Sequence, residues 1–309
     1  MTRGKKRKGR LHASVTPLLC VLALLFFPSG RAGAEQTVYI ENQWNYVDMA
    51  MDVSAGIPAD AVGRLAQIRE KGKLTVATEP YFPPQEYIDE SKTGQDRFAG
   101  ADMMLARLIA ERMGVELEIV PLAFSEVLAG VQEGRYDLAV SALAFTQSRA
   151  EVLEMSRGYY YSGAETASGM LIRQEDADSI RSLADLDARD IAAQSGSLQE
   201  AMAVDSALSC RQFRRLSSVT DVITAVEAGV VDAGITDSES AALHISAHRD
   251  CPLRFVPVPG FRLREEYLGD RVAARKGEIQ LISFVNGVIS EVLEKDLYTD
   301  WLSQYAPEG

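Results

Sequence analysis

One internal repeat constrains this chain more than any other feature. Glu126-Val127, Val131, Gly134 and Asp137 recur as Asp221-Val222, Val226, Gly229 and Asp232, 95 residues later and with every interval kept. Each copy reads as an amphipathic helix, a glycine that stops it, and an apolar strand opened by Asp. Two explanations fit: the shared chemistry of any αβ unit, or two similarly wound lobes in one chain. Around both copies the periodicity alternates. Helices are expected at 58–71, 101–113, 124–133, 198–208, 219–228, 238–248, 278–297 and 298–305, and strands at 73–78, 116–120, 137–143, 191–195, 211–216, 232–237, 253–258 and 271–275. Such alternation predicts an α/β architecture with mostly parallel sheets.

Length and charge then narrow the class. A chain of 309 residues is long enough for two domain-sized units. The net charge of −12 argues against a nucleic-acid partner. Charge is placed unevenly: residues 1–34 hold seven Lys and Arg and no acid, leaving 25 basic residues against 44 acidic ones. The basic head runs into a ten-residue apolar stretch from Leu18 to Phe27, then Pro28-Ser29-Gly30 and the small residues Ala32-Gly33-Ala34. This is the pattern of a signal peptide cleaved after Ala34, so a periplasmic location is expected, or secretion from a cell with one membrane. The apolar stretch is shorter than the roughly 20 residues that span a bilayer. Cys20 is preceded by Leu19 where a lipidation site wants a small residue. Export would permit a Cys210–Cys251 disulfide, although two cysteines do not establish one.

Ligands of open α/β sheets bind beyond the carboxyl ends of the strands. Those ends carry Glu79 and Phe82, then Ser141 followed by Arg149, then Gln194 to Ser197, and finally Thr236-Asp237. One half of the chain thus offers a cation and the other a carboxylate, which suits a small zwitterion. No cofactor is expected, because phosphate-cradling glycine loops, CxxC pairs and nucleophile elbows do not occur. His244 and His248 have a spacing that can hold a metal, but no third ligand is evident, so no metal site is expected.

At these residues the chain resembles the polar amino acid family, family 3, of bacterial extracellular solute-binding proteins. Residues 77–87 (ATEPYFPPQEY), 100–114 (GADMMLARLIAERMG), 141–149 (SALAFTQSR) with Tyr159-Tyr160, and 194–200 (QSGSLQE) through Asp237 carry the match, in order and spacing. The resemblance implies a two-lobed, type II periplasmic-binding-protein-like fold with a hinge and an interlobe cleft. It implies that Arg149 grips a ligand α-carboxylate and Asp237 its α-ammonium. Ser141 and the backbone near Ala142 would add hydrogen bonds from one lobe, Ser197 and the backbone of Leu198 from the other. Phe82 and Phe124 would flank the ligand side chain, with Glu79 near its distal end. Ala144, Leu198, Gln85 and Met104 depart from the family's usual residues.

The expected organisation is a signal peptide at 1–34, an N-terminal extension at 35–57, lobe 1 at 58–165 plus 270–309, and lobe 2 at 166–269, hinged near 163–168 and 266–272. The expected function is binding of a polar L-amino acid by a monomer and its delivery, through cleft closure, to a membrane ABC permease, with no enzymatic activity. The alternatives are a periplasmic dehydratase of the cyclohexadienyl type, with Glu79, Asp237 or Glu239 as its acid, and a stand-alone amino acid sensor.

Overall fold

The computed structural model describes residues 46–161, 168–206, 208–261 and 268–305. The chain divides into two compact units, 1–38 and 39–309. The expected signal peptide and the first part of the N-terminal extension lie outside the described residues.

In chain order the elements are α1 (Gly63–Lys71), β1 (Lys73–Thr78), β2 (Tyr81–Phe82), β3 (Glu86–Ile88), β4 (Phe98–Ala99), α2 (Ala101–Met113), β5 (Glu116–Pro121), α3 (Phe124–Gln132), β6 (Leu138–Ala144), α4 (Gln147–Val152) and β7 (Leu153–Tyr160). There follow β8 (Ser168–Arg173), β9 (Asp190–Gln194), α5 (Leu198–Asp205), β10 (Gln212–Leu216), α6 (Val219–Glu227), β11 (Ala233–Asp237), α7 (Ser238–Ala247), β12 (Leu253–Pro257), β13 (Asp270–Arg275), α8 (Ile279–Glu294) and α9 (Leu297–Tyr305).

Two five-stranded sheets have the orders β5-β1-β6-β13-β7 and β10-β9-β11-β8-β12, and a small antiparallel sheet joins β2, β3 and β4. In each large sheet four strands run one way and one runs against them, β13 in the first and β8 in the second. The chain passes from the first sheet to the second through 162–167 and returns through 262–267. The expected hinge at 163–168 falls chiefly outside the described residues, whereas most of the one at 266–272 is described and its last three residues belong to β13.

The repeat is structural. Helices α3 and α6, and strands β6 and β11, begin 95 residues apart. Gly134 and Gly229 both end their helices at positive φ, +75° and +68°. The opening aspartates do the same work in both sheets. Asp137 Oδ2 accepts the Thr75 N–H on β1 at 2.7 Å, and Asp232 Oδ2 accepts the Asp190 N–H on β9 at 2.8 Å. Each carboxylate ties one strand to its parallel neighbour, which explains why the repeat retains an acid there.

One expected boundary shifts, and two strands appear where none was expected. The first helix starts at Gly63, because the Val62 N–H is taken by the Gln280 side chain and residues 58–62 stay irregular. Strand β7 escapes the alternation test because its polar residues face inward: Glu154 accepts from Lys276 and from the Gly277 N–H, and Ser156 accepts from the Val272 N–H. Strand β8, buried along nearly its whole length, lacks alternation for the same reason.

The extension preceding α1 packs against the first sheet's helices. Asn286 on α8 is fully buried and donates to the carbonyls of Val47 and Met49. The Tyr46 ring lies under the Arg271 guanidinium at 4.2 Å. Cys210 and Cys251 are both free thiols. They pack into the clusters containing Met170 and Leu171 respectively, consecutive strand residues that point to opposite faces of the second sheet.

Candidate functional site

The carboxyl ends of β1, β6, β9 and β11 converge with the start of β13. At the end of β1, Glu79 is buried at 2% exposure. Its N–H donates to Ser141 Oγ at 3.0 Å, and the Ser141 hydroxyl donates onward to Glu86 Oε1 at 2.8 Å. Ser141 therefore keeps one acceptor lone pair unused by these bonds. Ala142 sits at φ +44°, a costly conformation for a residue with a Cβ. Its N–H is held by Asp102 Oδ2 at 2.7 Å.

Asp102 is the centre of a buried network. It accepts from Tyr159 Oη at 2.8 Å and Tyr298 Oη at 2.5 Å, and it lies in hydrogen-bond contact with Glu86. Burial pushes both carboxyls up, and for Glu86 the neighbouring Asp102 charge adds to the effect. The network joins α9 through Tyr298, β7 through Tyr159 and β6 through Ala142 into one rigid floor.

Arg149 rises from α4, whose N-cap Thr146 accepts the Arg149 N–H. Its guanidinium is buried, stacked over the Phe124 ring at 5.4 Å. Nη1 donates to the Ala144 carbonyl at 2.7 Å, and Nη2 donates to the Gly196 carbonyl at 2.9 Å. Gly196 belongs to the turn that opens α5, so this hydrogen bond links the two sheets. Three of the five guanidinium N–H groups are not used by these two bonds. Burial lowers the Arg149 pKa to about 10, against the opposing pull of Asp270.

From the second sheet come Ser197, which caps α5 by accepting the Glu200 N–H, and the half-buried Leu198 behind it. The helix thereby presents its positive end beside Arg149. Asp237 caps α7 and accepts both the N–H and the hydroxyl of Ser240. Phe82 lies on the small sheet yet packs into the second sheet's cluster with Val219 and Val222, and Thr220 Oγ1 approaches the Tyr81 carbonyl at 3.5 Å. The structure therefore gathers all nine sequence-derived residues around the junction of the two sheets. It uses the Ser141 hydroxyl and the Ala142 N–H to brace the floor.

The junction is rich in acids. Burial raises the Glu79 pKa to about 8, with the Asp221 charge contributing and a hydrogen bond from Gln194 partly opposing. Asp270, at the start of β13, is pushed well above the usual carboxylate range by burial and by Asp102, Glu239 and Asp237. Glu79 Oε1, Glu86 Oε2, Gln85 Oε1 and Thr78 Oγ1 are buried with no hydrogen-bond partner among the described residues.

Sequence reasoning missed Glu86, Asp102 and Asp270. A signal existed for Asp102: it shares a helical face with Leu105 and Ile109, and an acid on an apolar stripe has to be paired inside. No local pattern marks Glu86 or Asp270, which the fold alone brings together.

Two similarly wound α/β lobes joined by two chain passages, with a polar junction at the strand ends, define a cleft-type binding protein. The chain belongs to the bacterial extracellular solute-binding proteins, family 3, whose description it matches over residues 74–308. It is 26% identical to the arginine-binding extracellular protein ArtP of Bacillus subtilis, over 72% of this chain and 81% of that one. A crystal structure of an amino acid ABC transporter substrate-binding protein from Streptococcus pneumoniae, bound to L-arginine, is 28% identical with a TM-score of 0.68, covering 79% of this chain and 98% of that one. The fold is the two-lobed type II periplasmic-binding-protein fold. Two other curated relatives are matched over less of their length. The probable ABC transporter extracellular-binding protein YckB of Bacillus subtilis is 31% identical over 39% of this chain and 40% of its own length. For the cyclohexadienyl dehydratase of Pseudomonas aeruginosa the figures are 31%, 37% and 38%. Among the described residues no helix is long and apolar enough to cross a membrane.

Proposed function

We propose that the junction of the two lobes binds a polar amino acid with a cationic side chain and that the closed form delivers it to a membrane ABC permease. The carrying observation is the charge balance: one buried guanidinium, Arg149, interacts with Asp270, which in turn neighbours Asp237 and Glu239, and a further acid, Glu79, is buried at the end of β1. A carboxylate fits between the Arg149 fork and the open end of α5, since both favour an anion. The α-ammonium meets Asp237, and a second cation meets Glu79 with the free lone pair of Ser141. Phe124 supports the Arg149 fork from below. Phe82 and the backbone at Ala142 shape the walls, and Ser197 and Leu198 supply the anion-facing end of α5. Lobe 1 comprises 58–165 plus 270–309 and lobe 2 comprises 166–269, hinging at the two passages. The protein acts outside the cytoplasm as a monomer after cleavage behind Ala34, and as a carrier it needs no chemistry of its own. Binding a cation at Glu79 drives off its proton, so affinity rises with pH up to about 8. Calorimetry of the ligand-free protein against arginine, lysine, histidine, glutamine and glutamate tests this. Cationic amino acids should bind tightest and glutamate should give no heat. Tightest binding of glutamate, or no heat with any amino acid, would overturn it.

One observation favours a second reading. A carboxyl with a pKa near 8 is protonated at neutral pH and can donate to a leaving hydroxyl, as a dehydratase requires. A bound compound recovered chemically unchanged after incubation supports the carrier; recovery of a dehydrated product supports the enzyme.

A further inference from the structure

The second lobe carries a cluster that the ligand cleft does not use. Glu227 ends α6, His244 lies in the second half of α7, and Cys251 lies just ahead of β12. Their ligating atoms all fall within 4.8 Å of one another. In sequence His244 suggests only a pair with His248. Folding replaces that partner with a carboxylate and a thiol from two other segments.

We infer that Glu227, His244 and Cys251 form a Zn²⁺ site on the second lobe, remote from the amino acid cleft. Four observations carry the inference. First, His244 Nε2 stands 3.5 Å from Glu227 Oε2. Zinc–nitrogen and zinc–oxygen bonds of about 2.0–2.1 Å, at a tetrahedral angle, set those two atoms about 3.4 Å apart. That edge of the site is already formed. Second, the same His244 nitrogen is buried and makes no hydrogen bond. A buried ring nitrogen aimed at a carboxylate and a thiol, yet bonded to neither, lacks the partner such atoms ordinarily have. Third, the imidazole is held in place. The His248 ring stacks on it with centroids 4.3 Å apart, and His248 Nδ1 lies 2.8 Å from the His244 carbonyl, which only accepts. Fourth, the Cys251 N–H donates to the His248 carbonyl, a turn that folds the thiol back beside His244. Closing to a sulfur–nitrogen separation of about 3.6 Å asks the side chains to move by roughly an ångström.

Thiolate, imidazole and carboxylate together suit Zn²⁺ rather than Mg²⁺ or Ca²⁺, which take oxygen ligands. Three protein ligands leave a fourth position for water. The metal would clip the far end of α6 to α7 and to the entry of β12. Glu227 lies eight residues along α6 from Val219, about 12 Å of helix from the end that neighbours the small sheet's Tyr81. Metal and amino acid therefore bind independently.

The test is a zinc titration of the metal-stripped full chain against a chromophoric chelator, with Co²⁺ as a spectroscopic substitute. One zinc per chain is expected, with a thiolate-to-cobalt charge-transfer band and a rise in Tm on adding zinc. Cys251→Ser, His244→Gln and Glu227→Gln should each weaken zinc by at least about tenfold, and Cys251→Ser should abolish the band. Cys210→Ser should change neither. A cooperative melt at the metal-free wild-type Tm shows that a variant is folded. Unchanged zinc affinity in a folded Cys251→Ser protein, or a cobalt spectrum without the thiolate band, would overturn the site, whatever the cleft binds.

Discussion

Arg149 Nη2 donates to the Gly196 carbonyl across 2.9 Å, so a side chain carried by the first lobe is bonded to the turn that opens α5 in the second. The acceptor is a backbone oxygen at a residue whose φ of +79° needs glycine, packed close to Ser125 and Phe124. The contact brings a cation, an aromatic face and a helix N-terminus to one point. In the proposed function that combination receives the ligand carboxylate.

Removing the guanidinium should therefore weaken every amino acid ligand. Loss of one partner of a desolvated charge pair costs about 2–5 kcal/mol. Arg149→Ala should lose at least about thirtyfold in affinity at 1.4 kcal/mol per tenfold. Arg149→Lys should recover little, since a point charge cannot match the fork. Calorimetry with the best-binding amino acid checks both variants, and near-wild-type affinity for Arg149→Ala would remove the carboxylate site from the proposal.

Glu79 should make the ligand-free protein less stable as pH rises. Its pKa goes from an ordinary 4.5 to about 8 on folding, so the fold favours the protonated form. The stability this confers is complete below about pH 4.5 and is lost progressively up to about pH 8. Glu79→Gln removes this contribution and should gain on the wild type as pH rises. Urea midpoints of both proteins at about pH 5 and pH 8 measure it; parallel midpoints would mean that Glu79 is not buried as a neutral acid.

Asn286 should hold the extension ahead of α1. It donates to two carbonyls, of Val47 and Met49, and accepts the Arg157 N–H at 3.0 Å, all from a fully buried position. Leucine at 286 keeps the volume and strands three polar groups. The cost should be roughly 2–5 kcal/mol in urea unfolding, together with faster proteolysis ahead of α1. An effect under about 1 kcal/mol would mean that water replaces all three bonds.

Gly100 should tolerate no side chain. It sits at φ +109°, and a Cβ there would stand 2.2 Å from the Gln85 carbonyl oxygen. Gly100→Ala has to move backbone beside Glu86 and Asp102, at a cost on the order of 2 kcal/mol or more. The fall in Tm reads the cost. A matching loss of amino acid affinity would show that the buried floor transmits the shift to the cleft.

The elements legible in the sequence are helices with one polar face and short strands set off by turn residues, including the fully buried β11. Helix α2 spans its expected 101–113 and β1 its expected 73–78, because side-chain periodicity reports burial on one side. Strand β7 was not legible, because Glu154 and Ser156 are buried and satisfied by groups more than 100 residues away. The repeat announced two similarly wound units. It could not say that its aspartates tie parallel strands together, since the partners Thr75 and Asp190 stand about 40–60 positions earlier in the chain.

The site divides along the same line. Residue types and their place at strand ends determined that Arg149, Asp237, Glu79 and their neighbours belong to a polar locus, since strand ends in α/β sheets are where side chains and open helix ends converge. Only the tertiary structure decided the protonation of that locus. Glu79, Glu86, Asp102 and Asp270 are unremarkable acids in sequence, and each is shifted upward because folding removes water from it, with neighbouring acids adding to the shift at Glu79, Glu86 and Asp270. The Glu227–His244–Cys251 cluster arises in the same way, from three elements whose ends meet in space. Periodicity along a chain records which way a side chain faces, while charge energies and metal geometry depend on distances between segments, and packing alone sets those.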